Sequence, residues 1–216
     1  MSAVTIIDYG LSNLLSVQRA FEHFGAAVAL ASTPQQVEAA GALVLPGVGA
    51  FGDGMAGLAR LDLVGPIRAR AAAGVPLLGI CLGMQMLFEE SEEFGRCEGL
   101  GLIPGRVTAL PAAAADGSPQ RVPQVGWNAL VPAVGRADFS GSLLADVPPR
   151  GEVYFVHSFE AGPADAADRL ADTVYGGRRV CAAACRGSVT GCQFHPEKSG
   201  AVGLAVIRRF LLQAGG

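Results

Sequence analysis

Cys81 stands between two glycines in Gly79-Ile80-Cys81-Leu82-Gly83, directly after the apolar run Val75-Pro76-Leu77-Leu78. A small thiol placed where a buried strand gives way to a helix suits a nucleophile elbow. Glycines two residues before and after it let the chain make a strained strand-to-helix turn, which lifts the side chain off the sheet edge. The N-terminus of the following helix favours a thiolate. Such a nucleophile needs a base that accepts its proton and returns it to a leaving amine, a task for histidine near neutral pH. His195, in Phe194-His195-Pro196-Glu197, is the candidate base. Glu197 is placed to orient it, because Pro196 fixes an extended bend between the two. Acyl transfer also requires N–H donors for a developing oxyanion. Leu82, just past the nucleophile, offers one, and Val48 or Gly49 in Pro46-Gly47-Val48-Gly49 offers another. The plainer alternatives are a small buried hydrophobe at 81, a structural histidine at 195 and a tight turn at 46–49.

The elements that would position these residues alternate through the first half. Strands are expected at 4–9, 28–31 and 42–45 and before Cys81. Helices are expected at 13–24, with Leu14, Val17, Ala20, Phe21 and Phe24 on one face, from Pro34, up to Ala73, and from 82 through 89. This order predicts a mostly parallel sheet with helices on both faces and catalytic loops at the carboxyl ends of its strands. The strand before His195 is expected to lie parallel to, or beside, the one ending at Cys81. Beyond about residue 100 the pattern turns to short strands, at 124–131, 153–159, 173–175, 180–186 and 189–194, and a last helix at 201–212. Residues 112–119 read as an exposed excursion. No linker or repeat divides the chain, so residues 1–216 are expected to form one domain.

Composition narrows the function. Among 216 residues, 50% are hydrophobic, enough for a full core, and the net charge of −3 leaves no basic footprint for nucleic acid. No apolar run is long enough to span a membrane. The start of the chain reads as a strand and not as a signal peptide, so a cytoplasmic protein is expected. Five cysteines, an odd number, point to reduced thiols. The spacing of Cys181, Cys185 and Cys192 fits no standard zinc pattern, and no metal or cofactor is expected. Lys198 is the only lysine beside 15 arginines, which hints at a position that wants a compact ammonium or is a chance surface residue.

Gly79-Ile80-Cys81-Leu82-Gly83-Met84-Gln85 and Phe194-His195-Pro196-Glu197-Lys198-Ser199 together resemble the class I glutamine amidotransferase domain, and the likeness runs essentially the whole length. Within that family five stretches are similar to the glutaminase subunits of imidazole glycerol phosphate synthases. They are Ile7-Asp8-Tyr9-Gly10, Asn13-Leu14, the 46–49 loop, Val125-Gly126-Trp127-Asn128 and Tyr154-Phe155-Val156-His157-Ser158. The resemblance implies a three-layer, flavodoxin-like fold and a Cys-His-Glu triad of Cys81, His195 and Glu197 that hydrolyses glutamine to glutamate and ammonia. It implies a heterodimer with a (β/α)₈-barrel cyclase that consumes the ammonia in histidine biosynthesis.

By the same resemblance, Gln85 contacts bound glutamine, with Gly49, Glu93 and the backbone of Ser158 also at the substrate. Trp127, Asn128 and Lys198 fall to the docking face. The residues alone leave alternatives open: Gln85 as a solvated helix residue, Glu93 within the acidic run 89–93 as a solvated face, Trp127 as core, and His157 as a buried structural histidine. Two departures stand out, Ser12 where the family commonly has Gly, and Phe159 where it has Tyr. To spare glutamine, the oxyanion loop is expected to be misaligned in the lone chain, with a peptide rotation at 47–49 as the switch. The rivals are another class I glutaminase, such as that of pyridoxal phosphate synthesis, a stand-alone Cys hydrolase, and a relative that keeps only the fold.

Overall fold

A computed structural model describes residues 3–215. In chain order the elements are β1 (Ala3–Ile7), α1 (Leu14–Glu22), β2 (Ala27–Ala31), α2 (Pro34–Glu38), β3 (Leu43–Gly47), α3 (Phe51–Arg60), α4 (Val64–Ala72), β4 (Leu77–Cys81) and α5 (Leu82–Met86). There follow β5 (Phe88–Ser91), β6 (Cys97–Glu98), β7 (Ile103–Ala109), β8 (Gln124–Pro132), β9 (Glu152–His157), β10 (Phe159–Pro163), β11 (Arg169–Tyr175), β12 (Arg178–Arg186), β13 (Val189–Cys192) and α6 (Gly200–Ala214).

Nine strands form one sheet in the order β2-β1-β3-β4-β13-β12-β11-β8-β9. The parallel pairing expected of the sheet holds from β2 to β13, and the four ladders beyond β13 are antiparallel, so the sheet is mixed. Strands β3 and β4 are buried at every position, as central parallel strands covered on both faces must be. Alternation then deals their side chains to two cores. Val44, Leu78 and Ile80 join Val17 and Phe21 of α1 and Val206 and Phe210 of α6 on one face. Leu43, Leu45 and Leu77 join Leu58 of α3, Ile67 of α4 and Met84 of α5 on the other.

Several local expectations are corrected. The helix after Cys81 ends at Met86 because Phe88, Glu90 and Ser91 pair with β7 in a second sheet, β10-β7-β5-β6. The acidic run 89–93 is therefore no solvated helix face. Glu89 accepts from the Gly105 N–H and Glu92 from the Ala109 N–H, both at 2.8 Å. The expected strand at 153–159 breaks at Ser158, where the chain leaves β9 in the large sheet and enters β10 in the small one. Phe24 lies beyond the end of α1 and is exposed.

The glycines around Cys81 act through their missing side chains. Neither Gly79 nor Gly83 has a positive φ; Cys81 itself does. A Cβ on Gly83 would lie 1.7 Å from the Leu45 carbonyl oxygen, and one on Gly79 would lie 2.8 Å from the Gly83 carbonyl oxygen and the Met84 nitrogen. The elbow is a close approach of α5 to β3 and β4, not a flexible turn. Gly83→Ala is expected to cost about 3 kcal/mol or more, a fall of roughly 10 °C in Tm. Gly65→Ala, exposed in α4 with open space around its Cβ, is expected to stay within about 1 kcal/mol of the parent on the stabilising side. Thermal melts of the two variants check this, and equal melting points would contradict it.

Candidate active site

The register of the large sheet assembles the site. On one side of β4, Gly47 pairs with Cys81; on the other, Cys192 pairs with Ile80, so the chain continuing from β13 runs past the nucleophile. Cys81 has φ 55° and ψ −110° at the N-cap of α5, which puts its side chain at the carboxyl edge of the sheet. Leu82 supplies the first amide of α5, which has no acceptor within the helix.

His195 follows at the end of β13's continuation and is fastened by its own amide, which donates to the Tyr154 carbonyl at 3.0 Å. The Ser199 hydroxyl donates to the His195 carbonyl at 2.6 Å and accepts from the Tyr154 N–H at 3.0 Å. Pro196 opens a single helical turn, Pro196–Lys198, that swings the buried Glu197 carboxylate back to His195 Nδ1 at 2.8 Å. Burial by itself lowers the pKa of His195, but the Cys81 sulfur and the Glu197 carboxylate outweigh it and raise it to about 9. The imidazole is thus held ready to carry a proton beside Cys81. Tyr9 lies under the same loop, its phenol donating to the Pro46 carbonyl at 2.9 Å. Burial, then the nearby Cys81, hold that phenol neutral by raising its pKa.

A cavity of about 340 Å³ opens over Cys81. Its wall includes Val48, Gly49, Leu82, Gln85, Glu93, Ser158 and His195, so eight of the residues singled out in the sequence, Cys81 included, meet in one place. Gln85 is 6% exposed, which rules out a solvated helix residue. The Glu93 carboxylate accepts from the Phe51 N–H at 2.7 Å, capping α3 while it faces the cavity. Ser158 sits where the chain crosses between sheets. Glu197 stands behind His195 and outside the cavity wall.

The oxyanion loop differs from the arrangement an oxyanion hole requires. The Val48 N–H donates to the Leu11 carbonyl at 3.0 Å and so is spent away from the sulfur, while Gly49 has φ 99°. Trp127, Asn128 and Lys198 lie apart from the cavity. Trp127 is 51% exposed, excluding a core role, and meets Tyr154 edge-to-face at 6.1 Å. Val125 and Val156 pair beside them and are exposed, forming an apolar patch across β8 and β9. Asn128 accepts from Gln124, and Lys198 is exposed. Sequence reasoning passed over Val156 and Pro123 in the wall, and Gln193 beneath the sulfur. Gln193 carries a readable signal, since it directly follows the strand beside Cys81 and lies two residues before His195. Among the described residues no group of His, Cys, Asp and Glu is placed to hold a metal ion.

The family model for class-I glutamine amidotransferases matches residues 5–214. The chain belongs to that family. Among curated glutamine amidotransferase relatives, subunit HisH 1 of imidazole glycerol phosphate synthase from Legionella pneumophila (strain Lens) is 52% identical, covering 98% of this chain and 99% of that one. The HisH subunit from Geobacillus thermodenitrificans is 44% identical over 98% of this chain and 96% of its own length. A solved glutamine amidotransferase aligns with a TM-score of 0.72 at 19% identity, covering 98% and 99% of the two chains. PurLQS from Thermotoga maritima aligns with a TM-score of 0.73 at 18% identity, covering 99% of each. These two likenesses speak for the amidotransferase fold.

His157 offers a pH test of this cavity. It is 6% exposed and its Nδ1 lies 2.8 Å from the Phe159 carbonyl oxygen. Burial, with a smaller push from His195, lowers its pKa to about 4 against the pull of that hydrogen bond. Because the folded pKa lies below the unfolded one, its contribution is present above pH ~6.5 and lost as pH falls through about 4. Urea unfolding at both ends of that window is expected to show the parent losing about 3 kcal/mol more than His157→Gln. Parallel losses would mean that His157 is not held neutral.

Proposed function

We propose that this chain is the glutaminase subunit of an imidazole glycerol phosphate synthase, its residues 1–216 working as one cytoplasmic amidotransferase domain. The observation that carries the reading is the meeting of Cys81 and the His195–Glu197 pair over one cavity, in a chain about half identical to HisH along its whole length. No helix among the described residues is long and apolar enough to cross a membrane.

In this reading the Cys81 thiolate attacks the carboxamide carbon of glutamine, and the carbonyl electron pair moves to oxygen. The amide of Leu82, with that of Val48 or Gly49, receives this oxyanion. His195, oriented by Glu197, passes its proton to the leaving nitrogen, and ammonia departs from a γ-glutamyl thioester. Water then attacks the thioester while His195 takes its proton. Glutamate leaves, and the Cys81 thiolate and protonated His195 are restored. Gln85, Glu93 and Ser158 hold the substrate, and Gly49 lies at both the oxyanion and the substrate. Ammonia passes to a (β/α)₈-barrel cyclase. There a phosphoribulosyl nucleotide yields imidazole glycerol phosphate and an aminoimidazole carboxamide nucleotide.

The Val48–Leu11 hydrogen bond supports a resting state with an incomplete oxyanion hole. Docking of a nucleotide-loaded cyclase on the patch around Trp127, Asn128 and Lys198 favours a rotated loop that frees a donor. The purified chain alone is expected to make glutamate slowly, and cyclase with its nucleotide is expected to raise the rate about 100-fold. Cys81→Ser is expected to lose at least about 10⁴-fold in the assembled enzyme. Fast turnover by the chain alone, with no response to the cyclase, would point instead to an independent hydrolase.

A further inference from the structure

A chain of two amides runs from Gln85 in the cavity wall to the buried Gln193 behind it and ends on the nucleophile. Cys192 of β13 pairs with Ile80 of β4, so the next residue, Gln193, comes alongside Cys81. Its side chain is fully buried, with no exposed surface, and its backbone N–H is tied to the Ala182 carbonyl at 2.9 Å. From there Gln193 Nε2 donates to Cys81 Sγ at 3.8 Å. Gln193 Oε1 accepts from Gln85 Nε2 at 3.0 Å, and the same nitrogen of Gln85 donates to the Phe159 carbonyl at 2.9 Å.

The direction of this chain follows from its far end. A peptide carbonyl only accepts, so the Phe159 oxygen, which also faces His157 Nδ1, requires the amide nitrogen of Gln85. With that nitrogen fixed, its second hydrogen meets Gln193, which must answer with its oxygen. Gln193 is then left with its NH₂ toward the sulfur. Turning the Gln193 amide over would set two NH₂ groups against each other and an oxygen against a thiolate. Both amide hydrogens of Gln85 are used, so what it offers the cavity is an acceptor oxygen.

We infer that Gln193 is a further catalytic residue, stabilising the charged Cys81 sulfur through an N–H···S hydrogen bond whose direction is imposed by Gln85 and the Phe159 carbonyl. This inference rests on the reading of Cys81 as the nucleophile. A hydrogen bond to a charged partner is stronger than a neutral one, and burial away from water strengthens it further. Gln85 acts through Gln193 as a positioning residue. A substrate atom bound by the Gln85 oxygen bears on the same chain, which couples occupancy of the cavity to the orientation of the donor at the sulfur.

The test is the rate at which iodoacetamide alkylates Cys81, followed on the Cys81 peptide by mass spectrometry so that the other four thiols do not count, across the neutral and alkaline range. This readout needs neither glutamine nor cyclase, so a failure of the glutaminase reading would leave it interpretable. Gln193→Leu keeps the bulk and removes the donor. It is expected to slow alkylation near neutral pH about tenfold and to move the rate–pH midpoint up by about one unit. Gln85→Leu is expected to act in the same direction with a smaller factor, and the double variant is expected to match Gln193→Leu alone. A folded Gln193→Leu with the parent's pH profile would overturn the inference, and effects that multiply in the double variant would overturn the relay through Gln85. Should Gln193→Leu not fold, Gln193→Met and Gln85→Leu carry the same comparison.

Discussion

Cys81 is held at a positive φ between two neighbouring strands, and the rest of the site follows from that constraint. A non-glycine residue in this region costs about 1–3 kcal/mol, and it persists because the surroundings leave no alternative. Gly83 packs against the Leu45 carbonyl so closely that no side chain fits, which presses α5 onto β3 and β4. Parallel pairing of β13 with β4 then brings Gln193 beside the sulfur and His195 two residues further on. Strain at one residue is thus maintained by hydrogen-bonded ladders on both sides.

Two buried histidines border the same cavity in opposite electrostatic states. His195 has the Glu197 carboxylate on one nitrogen and the Cys81 sulfur nearby, and its pKa rises to about 9 despite burial. His157 has only a peptide carbonyl, and burial takes it down to about 4. Side chains of one type, lining the same cavity as Cys81, take opposite shifts because only His195 has a carboxylate partner. Behind the cavity wall a hydrogen-bonded run leads from the Phe159 carbonyl through Gln85 and Gln193 to the sulfur. In the oxyanion loop the Val48 amide is engaged with Leu11 and so is not offered to the cavity.

The catalytic geometry was legible in the chain because it depends on short spacings. Pro196 between His195 and Glu197, and the glycines flanking Cys81, act within a few residues, and the alternating first half forecasts the parallel strands that join them. What escaped notice depends on long-range pairing. Phe88 and Glu89 looked helical because the acidic residues hide the strand alternation, and pairing with β7 decides the matter. Ser158 gives no sign in sequence that it marks a change of sheet. Glu93 gives none that it caps a helix more than forty positions earlier. The role expected for the flanking glycines was also misplaced: they remove steric bulk, and the cysteine bears the unusual dihedral.

The central claim is that glutamine is cleaved through a covalent bond to Cys81. Its most direct measurement is acid quenching of the cyclase-assembled enzyme during turnover of isotopically labelled glutamine, followed by peptide mapping. A labelled γ-glutamyl group on the Cys81 peptide, absent from Cys81→Ser, is the expected result. Glutamate formation with no label on Cys81, or with the label on another residue, would contradict the account.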